Sequence, residues 1–464
     1  MAVAALDGTT SDQAKRRLTT LARANLIEHA APGRYRLHDL LRAYAGELAA
    51  VDPPDDLRAA RIRLLDHYLE IAPTAAPAER DNLARACAFA AGHGWEQHAI
   101  GIAAALGDRL QTEGDYVTAL AVHRHAHEAA QRVGDLGAQI RAATALAEAH
   151  LSTGQWADFE RRAREAYTLA RRIGHRGEQA EALLRLSTAA ALNGRFPAAF
   201  RFLDHALELL SHEEDRAKLA GALLQSGYLN GHQGRPSRAA DDFERASRVA
   251  APDDVGDALL GLGWALTQQG QWDTAATKFT RALDLFRGTG ARSGEADALI
   301  GLGDLDRRQG RLTGANDRLQ QAVELSHHIG NHGGEFRART ALGATYRAQG
   351  RPTEAAGSVR AALDMAHHAH DEIGVALAGI EMGRILVDQG RPEQAATLQR
   401  HALTFFRRLG NCPEEAEAAC GLGDALHALG DMAGAHAAWA ESLMAAIQTE
   451  NRLAAATARE RLSR

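Results

Sequence analysis

Residues 262–282 read LGWALTQQGQWDTAATKFTRA. Leu262-Gly263 lies in one apolar segment, Gly270 follows seven residues later, and Ala275 and Ala282 stand seven apart in a second segment. The pattern returns along the chain. Gly114, Gly154, Gly194, Gly234, Gly270, Gly310, Gly350, Gly390 and Gly430 are 40 residues apart, except for one interval of 36. Five residues after the glycine comes alanine in eight of nine copies, and seven further on alanine again in eight of nine. Phe159 and Ser442 are the departures. Seven residues before the turn stands glycine in seven copies, with Ala147 and Ser187 as small substitutes.

Small side chains at fixed helical spacing let two helix backbones approach closely, so Gly263 and Ala275 mark a helix crossing. Gly270 supplies the positive φ that a tight turn between helices requires. Pro236, Pro352 and Pro392 fall two residues after their glycines, where a second helix begins and the missing N–H costs little. The unit is an antiparallel helix pair, and self-similarity at this period means a solenoid. Leu-Gly in the first helix, a glycine turn and two alanines seven apart in the second resemble the tetratricopeptide repeat. The resemblance covers residues 97–447. It implies an all-α solenoid of about nine helix pairs in a right-handed superhelix, with a period longer than the usual ~34 residues.

A solenoid has no single core, so 464 residues need not mean several globular domains. The net charge is −6 and no long basic run appears, so nucleic acid binding has no electrostatic footprint. Cys87, Cys412 and Cys420 form no CxxC pair and are odd in number, which fits a reduced, cytoplasmic protein. No apolar run is long enough for a membrane span.

The first 50 residues stand outside the repeat. Thr10 and Gln13 are spaced as a capping box, and Ala14, Leu18, Leu21 and Ala22 give a helical face. Asn25–His29 reads as a strand, Ala31-Pro32-Gly33 as a turn, Arg34–Leu37 as a second strand, and Leu40, Leu41, Tyr44 and Leu48 as a helix. Helix, hairpin, helix is the second half of a winged helix. Its first half would lie ahead of Met1, so this reads as a partial domain, residues 1–50. The segment Gly33-Arg34-Tyr35-Arg36-Leu37-His38-Asp39-Leu40-Leu41-Arg42-Ala43-Tyr44-Ala45 resembles the end of the winged-helix domain in AfsR-like regulators of the STAND (NB-ARC) class of signal-transduction ATPases. In that class Met-His-Asp occupies this place and its histidine touches bound ADP. His38 and Asp39 match, while Leu37 replaces the methionine. His38 is thus a nucleotide contact only if an ATPase segment is present; otherwise it packs or caps a helix. No Gly-Lys pair exists in the chain, so there is no Walker A loop, and ADP or ATP would enter only through a further segment.

Residues 51–96 read as a connector. The stretch 52–55 breaks the helix, a short helix carries Leu64, Leu65, Tyr68 and Leu69, and another starts near Asn82-Leu83 and caps the first repeat. Gly134, Gly174, Gly290, Gly330 and Gly410 read as caps of second helices. The short interval loses its residues at 251–254. Residues 448–464 read as the closing helix a solenoid needs for solubility.

His123, His125 and His127 have helical spacing but no accompanying carboxylate or cysteine pattern, so no metal site is assigned. His327, His328, His367, His368 and His370 fall late in second helices, where the helix dipole favours positive charge at the surface. No nucleophile–base or paired-carboxylate motif stands out, so the chain reads as non-enzymatic. In the tetratricopeptide fold, first-helix residues one, four and five past the small position face the concave groove. That register places Tyr228, Trp264, Asp304, Arg308, Arg347, Arg384 and Asp424 inward, a set able to hold a peptide carboxylate or an acidic segment. Three functions stay open. The first is a sensor module of an AfsR-like transcriptional regulator that binds a protein, peptide or small signal. The second is a free-standing interaction scaffold without nucleotide coupling. The third is DNA binding through the hairpin wing, for which seven basic and five acidic groups in the first 50 residues give little bias.

Overall fold

The computed structural model describes residues 1–31, 33–49, 51, 53–112, 115–211, 215–410 and 412–463; the expected turn at Gly114, Pro32 of the hairpin and Asp52 lie outside them. The described residues form 24 α-helices, two short 3-10 turns and one two-stranded hairpin. The chain divides into two compact units, Met1–Ala182 and Leu183–Arg464.

In the first unit the Thr10–Gln13 capping box forms, with both reciprocal bonds in place ahead of the helix Ser11–Arg23. The first strand is not where the sequence suggested. It runs Glu28–Ala31, because Asn25 takes a left-handed conformation (φ 54°) and turns the chain before the strand starts. Its partner is Arg34–Arg36, antiparallel, pairing Glu28 with Arg36. The helix Asp39–Ala49 follows, with none of its residues buried. The connector helix is longer than expected. It spans Pro54–Ile71, since Pro54 sits at the first helical position, where its ring favours the helix rather than breaking it. Arg63 on this helix donates to the carbonyls of Ala5 (3.2 Å) and Leu6 (2.9 Å), which satisfies the open C-terminal end of the helix Ala2–Asp7. Leu65, Leu83, Cys87, Ile102 and Leu110 form the buried centre, and burial pushes the Cys87 thiol up to about 12.

From Glu96 onward the pairs alternate without interruption, from Glu96–Thr112 with Tyr116–Val133 to Cys412–Ala428 with Met432–Gln448, nine pairs among the described residues. Arg452–Leu462 closes the array. The expected caps at Gly134, Gly174, Gly290, Gly330 and Gly410 all have positive φ. In two pairs His370 and Glu450 take the same left-handed position without being glycine.

One determinant was absent from the sequence reading. In seven pairs the glycine of the first helix faces a larger residue nine places after the turn, while the second pair has Ala163 there. A Cβ at Gly263 would meet the Phe279 ring at 2.5 Å, one at Gly303 would meet Leu319 at 2.7 Å, and one at Gly423 would meet Trp439 at 2.3 Å. The same rings reach the next pair. Phe279 also fills the space at Gly301 (2.6 Å), as Phe243 does at both Gly227 and Gly261. Phe243, Phe279 and, at Gly383 and Gly421, Gln399 therefore join consecutive pairs as well as the helices of their own.

The histidines of Tyr116–Val133 are not all at the surface. His123 and His127 are buried. His127 Nε2 lies 2.9 Å from Glu165 Oε1, and this hydrogen bond, reinforced by Arg162, holds the Glu165 carboxyl down at about 2 against the opposing effect of burial. His327, His328, His367, His368 and His370 are exposed, as their positions implied.

In the second unit the last helices of the array reach the turn at Gly234. Gln233 donates to the Gly410 carbonyl at 2.9 Å and the Ser237 hydroxyl donates to Glu450 at 2.7 Å. Gly234 (φ 62°) lies so close to Thr449 that a Cβ would meet the threonine Cβ at 2.2 Å. Gly270 has the same kind of backbone (φ 75°) with open space around it. This pair separates two effects. Gly270→Ala is expected to cost about 1 kcal/mol from the left-handed backbone alone. Gly234→Ala adds the clash, for about 2–4 kcal/mol in all. Equal losses in urea unfolding of the two variants would show that the contact with Thr449 contributes nothing.

Candidate ligand groove

Two adjoining cavities, of about 320 and 380 Å³, lie in the second unit, lined mostly by first helices of its pairs and by the closing helix. Trp264, Asp304, Arg308 and Arg384 line the first, and Arg347, Arg384 and Asp424 line the second. Six of the seven residues placed by register are thus brought together. Tyr228 is not: it lines neither cavity, stays 45 % exposed, and packs edge-on against Phe243 with ring centres 5.0 Å apart. Trp264 makes the same contact with Phe279 at 5.3 Å.

The charges are not free, contrary to a simple picture of open arginines. Asp304 accepts from Arg307 Nε at 3.1 Å and from Arg308 Nε at 2.6 Å. Burial alone would raise the Asp304 carboxyl, and the two guanidiniums overcome this and hold it below its ordinary range. Glu381 is 5 % exposed and bridges two repeats. It accepts from Arg347 Nε at 2.9 Å and from Arg384 at 3.1 Å. Arg384 also donates to Glu417 at 3.1 Å, and Arg347 reaches Asp388 at 3.4 Å. Asp424 accepts from Trp439 Nε1 at 3.1 Å and from Arg461 Nε at 2.8 Å. Arg461 belongs to the closing helix, and that helix also places Leu453, Ala454 and Thr457 on the cavity walls.

Glu381, Glu414, Glu417 and Cys420 were missed from sequence. Their signal was present, because the inward stripe continues backward at helical spacing from Asp424 to Cys420 and Glu417. The register used only positions after the small residue. Burial and neighbouring Asp424 push the Cys420 thiol up to about 11, so it is a packing group and not a nucleophile at neutral pH. Among the described residues no group of histidine, cysteine and carboxylate side chains is arranged to hold a metal. His38, in the other unit, is exposed just ahead of the helix Asp39–Ala49, and its carbonyl accepts from the Arg42 amide at 2.8 Å. No helix among the described residues is long and apolar enough to cross a membrane.

Family models described as tetratricopeptide repeat match residues 254–326, 294–366 and 380–459. With the nine helix pairs from Glu96 to Gln448, they make the fold of this part of the chain a tetratricopeptide-repeat solenoid. Among curated proteins the chain is similar to regulatory protein AfsR of Streptomyces griseus, 27 % identical over 305 residues, which are 58 % of this chain and 31 % of AfsR. The chain thus spans about a third of that relative's length. Among solved structures it is similar to a STAND protein with a tetratricopeptide repeat sensor from Pyrococcus horikoshii, at 16 % identity and TM-score 0.55, covering 88 % of this chain and 60 % of that one. It is also similar to a Rap protein complexed with competence and sporulation factor, at 12 % identity and TM-score 0.59, covering 76 % and 99 %. A Rap conjugation gene regulator of plasmid pLS20, in complex with the Phr* peptide, matches at 15 % identity and TM-score 0.53, covering 74 % and 95 %. At these identities the structural likenesses establish the fold.

Proposed function

We propose that this chain is the sensor part of an AfsR-like transcriptional regulator, and that its second unit takes a peptide or a peptide-like segment of a protein in the concave groove. The observation that carries this is the convergence of Trp264, Asp304, Arg308, Arg347, Arg384 and Asp424 on two adjoining cavities. Mixed charge with an aromatic wall suits a chain that offers amide, carboxylate and ammonium groups together. The similarity to AfsR supports the regulatory role, and the similarity to the Rap regulator in complex with the Phr* peptide supports a peptide as ligand. The repeats act here by binding and not by catalysis.

Within this reading residues 1–50 are a partial winged helix that passes the signal to a nucleotide switch. Exposed His38 would meet ADP there. Leu40 (80 % exposed), Tyr44 (59 %) and Leu48 (55 %) form one apolar stripe on the next helix, a face suited to such a neighbour. A scaffold without nucleotide coupling is the competing reading, with protein partners in the same groove.

The groove is tested with a pool of randomised pentapeptides passed over the immobilised full chain. Arg308 is the natural anchor for a carboxylate, since only its Nε is engaged and its terminal amino groups make no hydrogen bond among the described residues. Trp264→Ala is expected to weaken retention by roughly 30-fold, the effect of removing a buried aromatic anchor. Arg308→Gln should weaken it about tenfold. Reversing Arg308 and Arg347 to glutamate is a poorer test, because it would set new carboxylates against Asp304 and Glu381. Retention equal to the parent chain in both variants, with helix content intact, would place the binding surface elsewhere.

A further inference from the structure

We infer that the first cavity is built for a cationic group of the ligand, a free amino terminus or a basic side chain, seated against Glu414. This rests on the peptide reading above and names what kind of peptide it is.

The inference comes from charge pairing around the cavities. Six carboxylates stand in and beside them: Asp304, Glu381, Asp388, Glu414, Glu417 and Asp424. Five arginines face them. Five of the six carboxylates have an arginine within 3.4 Å. Glu414 is the exception: its Oε2 is buried and has no hydrogen-bond partner among the described residues. A buried carboxylate oxygen without a donor costs free energy, which a donor on a ligand would recover.

Its position fits that use. Glu414 lies in the first turn of the helix Cys412–Ala428 and lines the same 320 Å³ cavity as Trp264 and Asn451. Glu417, one turn further along, adds a second carboxylate to the same wall, and Arg384 neutralises only that one. Burial and the Glu417 charge push the Glu414 carboxyl up to about 8. The group therefore waits largely protonated; an entering ammonium would favour the ionised form, and the carboxyl proton would leave to solvent. Each arginine of this wall already pairs with an acid, which leaves the terminal amino groups of Arg308 for a ligand carboxylate and Glu414 for a ligand cation. Trp264 adds an aromatic surface in the same cavity, against which an alkylammonium chain packs well.

The test uses the full chain and two pentapeptide pools near pH 8. One pool has free amino termini and all residue types. The other is acetylated and lacks lysine, arginine and histidine. The parent chain is expected to retain the first pool at least about tenfold more strongly than the second, as expected when a buried charge pair is formed. Glu414→Gln, nearly isosteric and free of the unpaired charge, should fold normally and lose that preference. If both pools are retained equally, or if Glu414→Gln keeps the preference, the cationic assignment fails while the peptide reading stands. If the parent chain retains neither pool, the peptide reading fails and this inference falls with it.

Discussion

Phe279→Ala is expected to lower the stability of the second unit by about 3–5 kcal/mol. The ring is fully buried, and it is a wedge rather than a filler. Gly263 on its own pair and Gly301 on the next leave no room for even a Cβ beside it. Trp264 meets it edge-on at 5.3 Å. Removing the ring opens a cavity between three helices whose backbones are held apart by their neighbours and cannot collapse into it. A solenoid is stabilised by each pair and by each interface between pairs. Phe279 contributes to both kinds, so its loss should also broaden the urea transition as the two sides of the break begin to unfold separately. Val117→Ala, at a site 79 % exposed, is the control and should change stability by less than about 0.5 kcal/mol. A loss under about 1 kcal/mol for Phe279→Ala would remove the wedge from the account of this fold.

The repeat was legible because its constraint is local. A glycine turn and two small residues must recur at fixed spacing wherever helices cross, and nothing distant can replace them. The wedges were harder to see, since Phe243, Phe279, Leu319, Val359, Gln399 and Trp439 share a position but not a chemistry. Any side chain of the right volume fills that space. The groove residues followed from register, yet their pairing did not. Glu381 bridges arginines from two different repeats, and which acid meets which base depends on the rotation between pairs, which the sequence does not display. The contact of Gln233 with Gly410 is further still from view, as 177 residues separate the two. At the N-terminus the misplaced strand turned on one residue: Asn25 tolerates the left-handed region, and propensity alone gave no reason to expect it there.

Glu414→Gln should make the protein more stable at alkaline pH and leave it unchanged in mild acid. Burial, with the charge of Glu417 beside it, raises the Glu414 carboxyl from 4.5 to about 8 in the folded chain. Below 4.5 the group is protonated whether folded or unfolded, and its contribution to stability is complete. Between 4.5 and 8 the folded chain holds a proton that the unfolded chain has released, so stability falls as pH rises. Above 8 the folded chain keeps a buried negative charge, and the loss levels off. The full difference is on the order of 3 kcal/mol, taken below the unscreened value because the residue is only half-buried. Other groups titrate in the same range, including His232, whose depressed value acts in the opposite sense. The difference between variant and parent removes them. Asp304, Arg307, Arg308, Arg384 and Glu417 line the same cavity and are present in both proteins. Melting curves of the two proteins should therefore coincide near pH 4.5 and separate steadily to a plateau above pH 8, with the variant higher. Parallel curves across that range would mean that the carboxyl titrates normally, and the cavity would then hold an ordinary solvated glutamate. A separation that closes again when a cationic peptide is added would join the two tests, since a ligand that pairs with the charge also removes the reason for the loss.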